Sequence, residues 1–302
     1  MLKRTLFFGN PAYLSHRQNQ VVIQYPDGSK PETTLPVEDI GFVVLENPQI
    51  TISARLLAAL SENNTAVICC DEKHMPSGLM LPIAGHSEQN HKIRTQIEAS
   101  LPLCKSLWQQ VVTAKILNQA AVLEKYRKAF EPMHYWAQKV NSGDTQNLEG
   151  RAAAHYWPQL FSHIPFFTRE AKGVAPNAWL NYGYALIRAS MARALAGTGL
   201  FLTLGIHHHN KYNAFCLADD MMEPYRPWVD DLVYSLTLNN ALSNDLTPEL
   251  KKQLLQLLAN DICIDGITSP LMIAMQRTAA SLCECFEKTA RKLSLPQWNQ
   301  NV

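Results

Sequence analysis

Residues 91–128 read HKIRTQIEAS LPLCKSLWQQ VVTAKILNQA AVLEKYRK, and this stretch decides the fold. Apolar residues recur three and four apart, first Ile93, Ile97 and Leu101, then Trp108, Val112 and Ile116, which is the helical period. Pro102 has no backbone donor, so it divides the stretch into two helices. N-terminal to it the pattern is different. Short alternating or β-branched runs mark strands at Arg4–Phe8, Val21–Tyr25, Ile40–Leu45, Ala66–Cys70 and Leu79–Pro82. Turn residues separate them at Gly9-Asn10-Pro11, Pro26-Asp27-Gly28-Ser29 and Glu62-Asn63-Asn64, and Ser53 can cap a short helix over Ala54–Leu60.

C-terminal to residue 128 the helical period continues. Helices are predicted at Gly150–Leu160, Pro176–Leu195, a stretch containing Phe215–Leu238, Pro248–Leu258 and Pro270–Leu293. Thr247-Pro248 and Ser269-Pro270 each read as an N-cap followed by proline at the first helical position. Gly197-Thr198-Gly199 reads as a helix stop. The expected fold class is α+β: a small N-terminal β-rich domain over residues 1–84, a linker near residues 84–90, and a larger all-α catalytic domain over residues 85–302.

Composition narrows the class of function. The chain has 302 residues, 47% hydrophobic and 18% charged, with a formal net charge of +1. Such a chain buries a substantial core and is not disordered. It lacks the strong basic excess of a nucleic-acid coat, so any DNA surface has to come from local clusters of Lys and Arg. No apolar run approaches the roughly 20 residues that span a bilayer. The start, Met1-Leu2-Lys3-Arg4-Thr5-Leu6-Phe7-Phe8, is too short in its apolar part for a secretory leader. A cytoplasmic protein is expected. The seven cysteines fit reduced, buried thiols, and Cys283-Glu284-Cys285 has no second cysteine pair at zinc-site spacing.

Three segments hold polar groups suited to chemistry. In Asn147-Leu148-Glu149-Gly150-Arg151-Ala152 a glutamate opens a small-residue helix. There it can simply complement the helix dipole, while the small residues would let a ligand or another backbone approach. Gly205-Ile206-His207-His208-His209-Asn210 offers imidazoles, at most two of which can face one ion. In Cys216-Leu217-Ala218-Asp219-Asp220-Met221-Met222-Glu223-Pro224, Asp220 and Glu223 stand three apart, so on a helix their like charges share a face. Pro224 should make the helix kink or restart at Glu223. Carboxylates with one imidazole form a hard donor set that suits Mg²⁺ or Mn²⁺ better than zinc. Such ions assist phosphodiester chemistry.

With these motifs in view, the chain resembles the CRISPR-associated adaptation integrase family, the "Cas-one" proteins of antiviral defence. The likeness is of the kind found in systems with a single-protein RNA-guided effector. It spans the whole chain and rests on ordered segments: the junction Pro76–Ile83 followed by helical Ile93–Ile97 and Leu107–Val112, then Asn147–Gly150, the core helix Asn177–Tyr184, and the acidic motif Leu217–Pro227. The resemblance implies metal ligands Glu149, His208 and Glu223, with Asp220 beside them in the catalytic set. His208 is chosen by the family's Gly-x-x-His pattern starting at Gly205, with His207 and His209 as alternatives. It also implies Mg²⁺ or Mn²⁺ as cofactor, a homodimer, a small ferredoxin-like partner ("Cas-two") and double-stranded DNA. The implied reaction is a transesterification in which the 3′-hydroxyl of a captured fragment attacks the CRISPR repeat. Water in that role gives endonuclease activity. A stand-alone metal-dependent nuclease of branched or single-stranded DNA and a non-catalytic DNA-binding scaffold are the competing readings. Candidate DNA contacts are Arg55, Lys73, Arg94, Lys115, Arg151, Arg169, Lys172, Arg188, Lys211 and Arg226. Arg151 and Arg226 stand out because each follows a motif carboxylate, with which it can equally pair.

Overall fold

The computed structural model describes residues 3–239 and 242–298, so Met1 and Leu2 of the N-terminal segment read above lie outside the described residues. The chain begins with β1 (Arg4–Phe8), β2 (Tyr13–Arg17), β3 (Gln20–Gln24), β4 (Thr33–Pro36), β5 (Ile40–Leu45), β6 (Thr51–Ile52), α1 (Ala54–Glu62), β7 (Ala66–Cys70) and β8 (Pro76–Met80). They form two four-stranded sheets, ordered β1-β5-β7-β8 and β4-β3-β2-β6. In the first sheet β1, β5 and β7 run parallel, and Phe42 lies opposite Ala66.

Strand alternation gives that sheet two buried faces. Phe42, Val44, Ala66 and Ile68 belong to the large core shared with the helices. Val43 and Val67 point the other way, into a smaller core with Leu14, Val21 and Ile23 of the second sheet and Leu56 and Leu60 of α1. A strand buried on both sides has no polar face, which is why β5 reads Ile-Gly-Phe-Val-Val-Leu. The Ser53 cap is present, its hydroxyl accepting from the Leu56 amide. Strands β2, β4 and β6 fall outside the expected runs, and β8 covers Pro76–Met80 where Leu79–Pro82 is expected. β2 is rich in polar residues, and its hairpin to β3 turns through Gln18 and Asn19, both at positive φ, without a glycine to mark it.

The helices follow: α2 (Gln89–Ile97), α3 (Leu101–Lys125), α4 (Glu131–Lys139), α5 (Leu148–Leu160), α6 (Asn177–Gly197), α7 (Cys216–Met222), a 3₁₀ turn at Glu223–Tyr225, α8 (Arg226–Asn239), α9 (Pro248–Gln256) and α10 (Leu271–Phe286). α2 and α3 are the two helices expected, and Pro102 sits in the first turn of α3, where its missing donor costs nothing. Thr247 caps α9, with Pro248 in its first turn. α6 is buried nearly all round and packs against α7, α8, α9 and α10.

The α+β class stands, but the second part of the chain is not all-α. β9 (Asp261–Ile264), β10 (Ile267–Pro270) and β11 (Pro296–Gln297) form a small antiparallel sheet. Its hairpin turns at Asp265-Gly266, both at positive φ, which is the strongest short hairpin signal a sequence carries. Ser269 and Pro270 therefore end a strand and do not cap a helix in the predicted way, and α10 starts after them and stops at Phe286.

Candidate active site

α3 places a cation on an apolar stripe. Trp108, Val111, Val112, Lys115, Asn118, Gln119 and Val122 are all buried and fall on the face that three- and four-residue steps repeat. Lys115 is thus carried into the interior, its side chain only 9% exposed, where it needs partners. It has two: its Nζ lies 2.6 Å from Glu149 Oε1 and 2.5 Å from Glu223 Oε2. Burial disfavours the Lys115 charge, yet the two carboxylates outweigh burial and raise its pKa. Lys115 is therefore not a surface DNA contact as it stands.

Glu149 is fixed through the start of α5. Asp144 accepts from the Leu148 and Glu149 amides, both at 2.9 Å, and the Asn147 side chain accepts from the Gly150 amide. These bonds satisfy orphan donors of the first turn and set the direction in which Glu149 leaves the helix. Gly150 owes its place to this cap: a Cβ there would come within 2.6 Å of Asn147 Oδ1. The small residue that read as room for a ligand makes room for the helix's own capping side chain.

Glu223 stands where α7 passes into the 3₁₀ turn, so the helix changes type at the position that Pro224 marks. Glu223 itself keeps right-handed helical angles, against the bias of a residue before proline. Asn118 of α3 holds the turn by donating to the Pro224 carbonyl at 2.9 Å and to the Pro296 carbonyl at 3.0 Å. Glu223 is nearly fully buried; burial opposes its charge, but Arg226 (3.1 Å from Oε1) and Lys115 hold its pKa below the ordinary carboxylate range. Its Oε2 faces the Lys115 ammonium at 2.5 Å.

The histidine triplet lies in the loop between α6 and α7, and the structure separates its members. His207 stacks on Trp108 with ring centroids 4.1 Å apart and planes within 1°. His208 Nδ1 is 2.5 Å from Asp220 Oδ1, and its ring meets Trp108 edge-on. His209 is exposed. Asp220 is fully buried and also accepts from the His207 and His208 amides at 2.9 and 3.2 Å. Its oxygens are thus spent on placing the loop. The hydrogen bond that His208 donates to Asp220 raises the His208 pKa against the opposing effect of burial, whereas burial lowers that of His207. Gly205 allows the closure: a Cβ there would lie 2.5 Å from the His208 carbonyl and 2.7 Å from Asp220 Oδ2.

The fold therefore brings Glu149 and Glu223 to one cationic nitrogen and sets His208 beside them, close enough that both glutamate charges act on its ring. Asp220 reaches this corner only through the histidine loop. Among the described residues, no three His, Cys, Asp or Glu side chains are grouped to hold an ion as they stand. The donor chemistry nevertheless fits a hard divalent cation. Glu149 and Glu223 already share one cation, the Lys115 ammonium, and His208 has one ring nitrogen committed to a carboxylate, which leaves Nε2 available to an ion.

Several partners were not foreseen. Trp108 and Asn118 share the stripe of Lys115, and a lysine inside Val-Val-Thr-Ala-Lys-Ile was the signal for it. Next to the site, Asp230 is fully buried between the Tyr156 and Tyr184 hydroxyls, and burial pushes its pKa up to about 7, opposed by those two hydrogen bonds. Of the basic candidates, Arg226 pairs with Glu223 and lies 4.8 Å from the Tyr184 ring centroid. Arg188 pairs with Asp219 at 2.7 Å, and Arg169 donates to Asn177 and Asn181. Arg151 covers the Trp136 ring and makes no ion pair with Glu149.

Comparison with known proteins agrees with this architecture. Residues 6–261 match the model of the family described as CRISPR associated protein Cas1. The chain is 38% identical over 300 residues to the CRISPR-associated endonuclease Cas1 of Neisseria meningitidis serogroup C (strain 8013), covering 98% of this chain and 97% of that protein. Among solved structures, a casposase bound to integration product superposes with a TM-score of 0.79 at 19% identity, over 97% of this chain and 93% of the other. A Cas1 protein from Thermotoga maritima does so with a TM-score of 0.72 at 16% identity, over 94% and 97%. The chain of a Cas6-RT-Cas1–Cas2 complex aligns over 99% of this chain and 36% of its own, with a TM-score of 0.76 at 18% identity. The α+β fold is that of Cas1 structures, and the chain belongs to the Cas1 family of CRISPR-associated proteins.

Proposed function

We propose that this chain is a cytoplasmic, metal-dependent DNA integrase and endonuclease of CRISPR spacer acquisition. It joins the 3′-hydroxyl ends of captured DNA to the CRISPR repeat by transesterification. The observation that carries the reading is the approach of Glu149 and Glu223, from separate helices, to one cationic atom beside an imidazole whose Nδ1 is held by Asp220. Glu149, His208 and Glu223 are the residues that hold Mg²⁺ or Mn²⁺ in this reading. When bound, the ion activates the attacking hydroxyl and neutralises charge at the phosphate. The chain's own groups do the rest. Asp220 fixes the His208 tautomer and ring, Asp144 and Asn147 aim Glu149, and Asn118 holds the turn that carries Glu223. Arg226, beside Glu223, supplies positive charge next to the place where a phosphodiester would lie.

The partners follow from the same reading: double-stranded DNA, a second copy of this chain, and a Cas2 subunit of the sort present in the similar complex structure. The test is an integration assay with purified chain, Cas2, a DNA fragment with free 3′-hydroxyls and a supercoiled plasmid carrying the repeat. Joined products that require the 3′-hydroxyl and vanish in Glu149→Gln or Glu223→Gln support the integrase. Hydrolysis without joining supports a stand-alone nuclease, and activity untouched by either substitution supports neither.

A further inference from the structure

Lys115 is a buried cation set between two carboxylates. Lys115 sits on the apolar stripe of α3, and its ammonium contacts one carboxylate oxygen each of Glu149 and Glu223. These are two of the three side chains assigned to the divalent ion. A buried carboxylate beside a partly buried one repels it unless a cation stands between them, and removing that cation leaves the Glu223 charge poorly compensated. A divalent ion placed on the same oxygens would face the ammonium at close range, in surroundings that screen it poorly. The two cations therefore exclude one another. Glu223 is not left bare by an exchange, because Arg226 remains on its other oxygen at 3.1 Å.

Resting on the metal-site reading above, we infer that Lys115 is the resident counter-cation of that site. Its ammonium holds Glu149 and Glu223 together before the ion arrives and has to leave them for the ion to enter. The side chain suits this role. An ammonium is a compact point charge on a flexible four-carbon stem, and it can swing out with its charge intact, toward a DNA phosphate or solvent. A guanidinium would grip carboxylates through a rigid fork and release them less readily. Lys115 thus sets the threshold at which the site loads and keeps the two acids positioned in the unloaded protein. A purely structural lysine would do the second and not the first.

The experiment is calorimetric titration of MnCl₂ into the full chain without DNA, with Glu149→Gln as the control that places the heat at this site. Lys115→Met is expected to bind Mn²⁺ about tenfold or more tightly than the wild type, because no resident cation has to be displaced. Lys115→Arg is expected to bind it more weakly. Mn²⁺ should also raise the melting temperature of Lys115→Met by more than it raises that of the wild type. Should Lys115→Met fold poorly without metal, Lys115→Gln, which keeps a hydrogen-bond donor, gives the same comparison and the same sign. Wild-type binding with equal or weaker binding in Lys115→Met and Lys115→Gln overturns the exchange and leaves the metal site standing. Absence of Glu149-dependent Mn²⁺ binding in every form overturns both.

Discussion

His208 Nδ1 lies 2.5 Å from Asp220 Oδ1, and Asp220 also accepts the backbone amides of His207 and His208. One buried carboxylate therefore fixes both the path of the histidine loop and the tautomer of its central ring. Asp220 and Glu223 are neighbours in sequence, yet they play different parts: the first holds the histidine loop, and the second pairs with Lys115 and Arg226.

Asp220→Asn should leave the acidic pair of Glu149 and Glu223 in place and weaken Mn²⁺ binding by about ten- to a hundredfold, the usual cost of losing a partner behind a ligating histidine. It should also return the His208 pKa toward the ordinary imidazole value. The shift carries a defined sign. Because the folded pKa of His208 is raised, the stability it contributes is fully present below about pH 6.5 and is lost as pH rises through the folded value. Titration of the His208 ring by NMR, in wild type and Asp220→Asn, checks both statements; an unchanged midpoint in the variant contradicts them.

Gly205→Ala should displace the histidine loop. The added methyl meets the His208 carbonyl and the Asp220 carboxylate, and neither is a flexible side-chain end that can swing away. Overpacking of this kind costs about 1–3 kcal/mol. Thermal denaturation should show that loss, and metal-dependent cleavage should fall with it. A variant as stable and as active as the parent would mean that the loop closes differently.

Asp230 gives stability a slope of the opposite origin. Its folded pKa is raised from the ordinary range to about 7, so in the folded protein it holds its proton to higher pH than in the unfolded chain. Stability should therefore fall as pH rises from about 4 to about 7, and the loss should be complete above that window. Asp230→Asn keeps a polar group between Tyr156 and Tyr184 and removes the titration. Urea denaturation across pH 4–8 should give a flatter profile for the variant than for the wild type, with the variant gaining most at the alkaline end.

The parts of the molecule legible in the sequence are those with a local cause. Long helices showed in the three- and four-residue spacing around Ile93 and Trp108, and Thr247 announced its own cap. β5 and β7 were visible because burial on both faces leaves no polar positions. Strands β2 and β4 are hidden by polar side chains, and Ser269-Pro270 has the form of a helix start although it ends the strand that follows the Asp265-Gly266 turn. At the site, the acids and the histidine loop were found by motif. What joins them was not. The partnership of Lys115 with two glutamates depends on the packing of α3 against α5 and the 3₁₀ turn, and no residue spacing encodes that contact. The role of Asp220 as an orienting group likewise depends on a loop that folds back on α7.

Removing either acid should be severe. Glu149→Gln and Glu223→Gln each take one charge from the pair that grips a cation, and several kcal/mol of transition-state stabilisation is at stake, so cleavage and joining should fall at least about a hundredfold. Single-turnover cleavage of a labelled duplex with saturating Mn²⁺ measures this.

The central claim, that Glu149, His208 and Glu223 hold one divalent ion, is tested most directly by the anomalous signal of manganese in crystals of this chain grown with MnCl₂. The account predicts one peak in contact with both glutamates and with Nε2 of His208, with Lys115 withdrawn from between the acids. A peak held by other residues, or no peak at saturating Mn²⁺, would contradict it, whereas Lys115 still seated beside a peak on all three ligands would overturn the cation exchange alone.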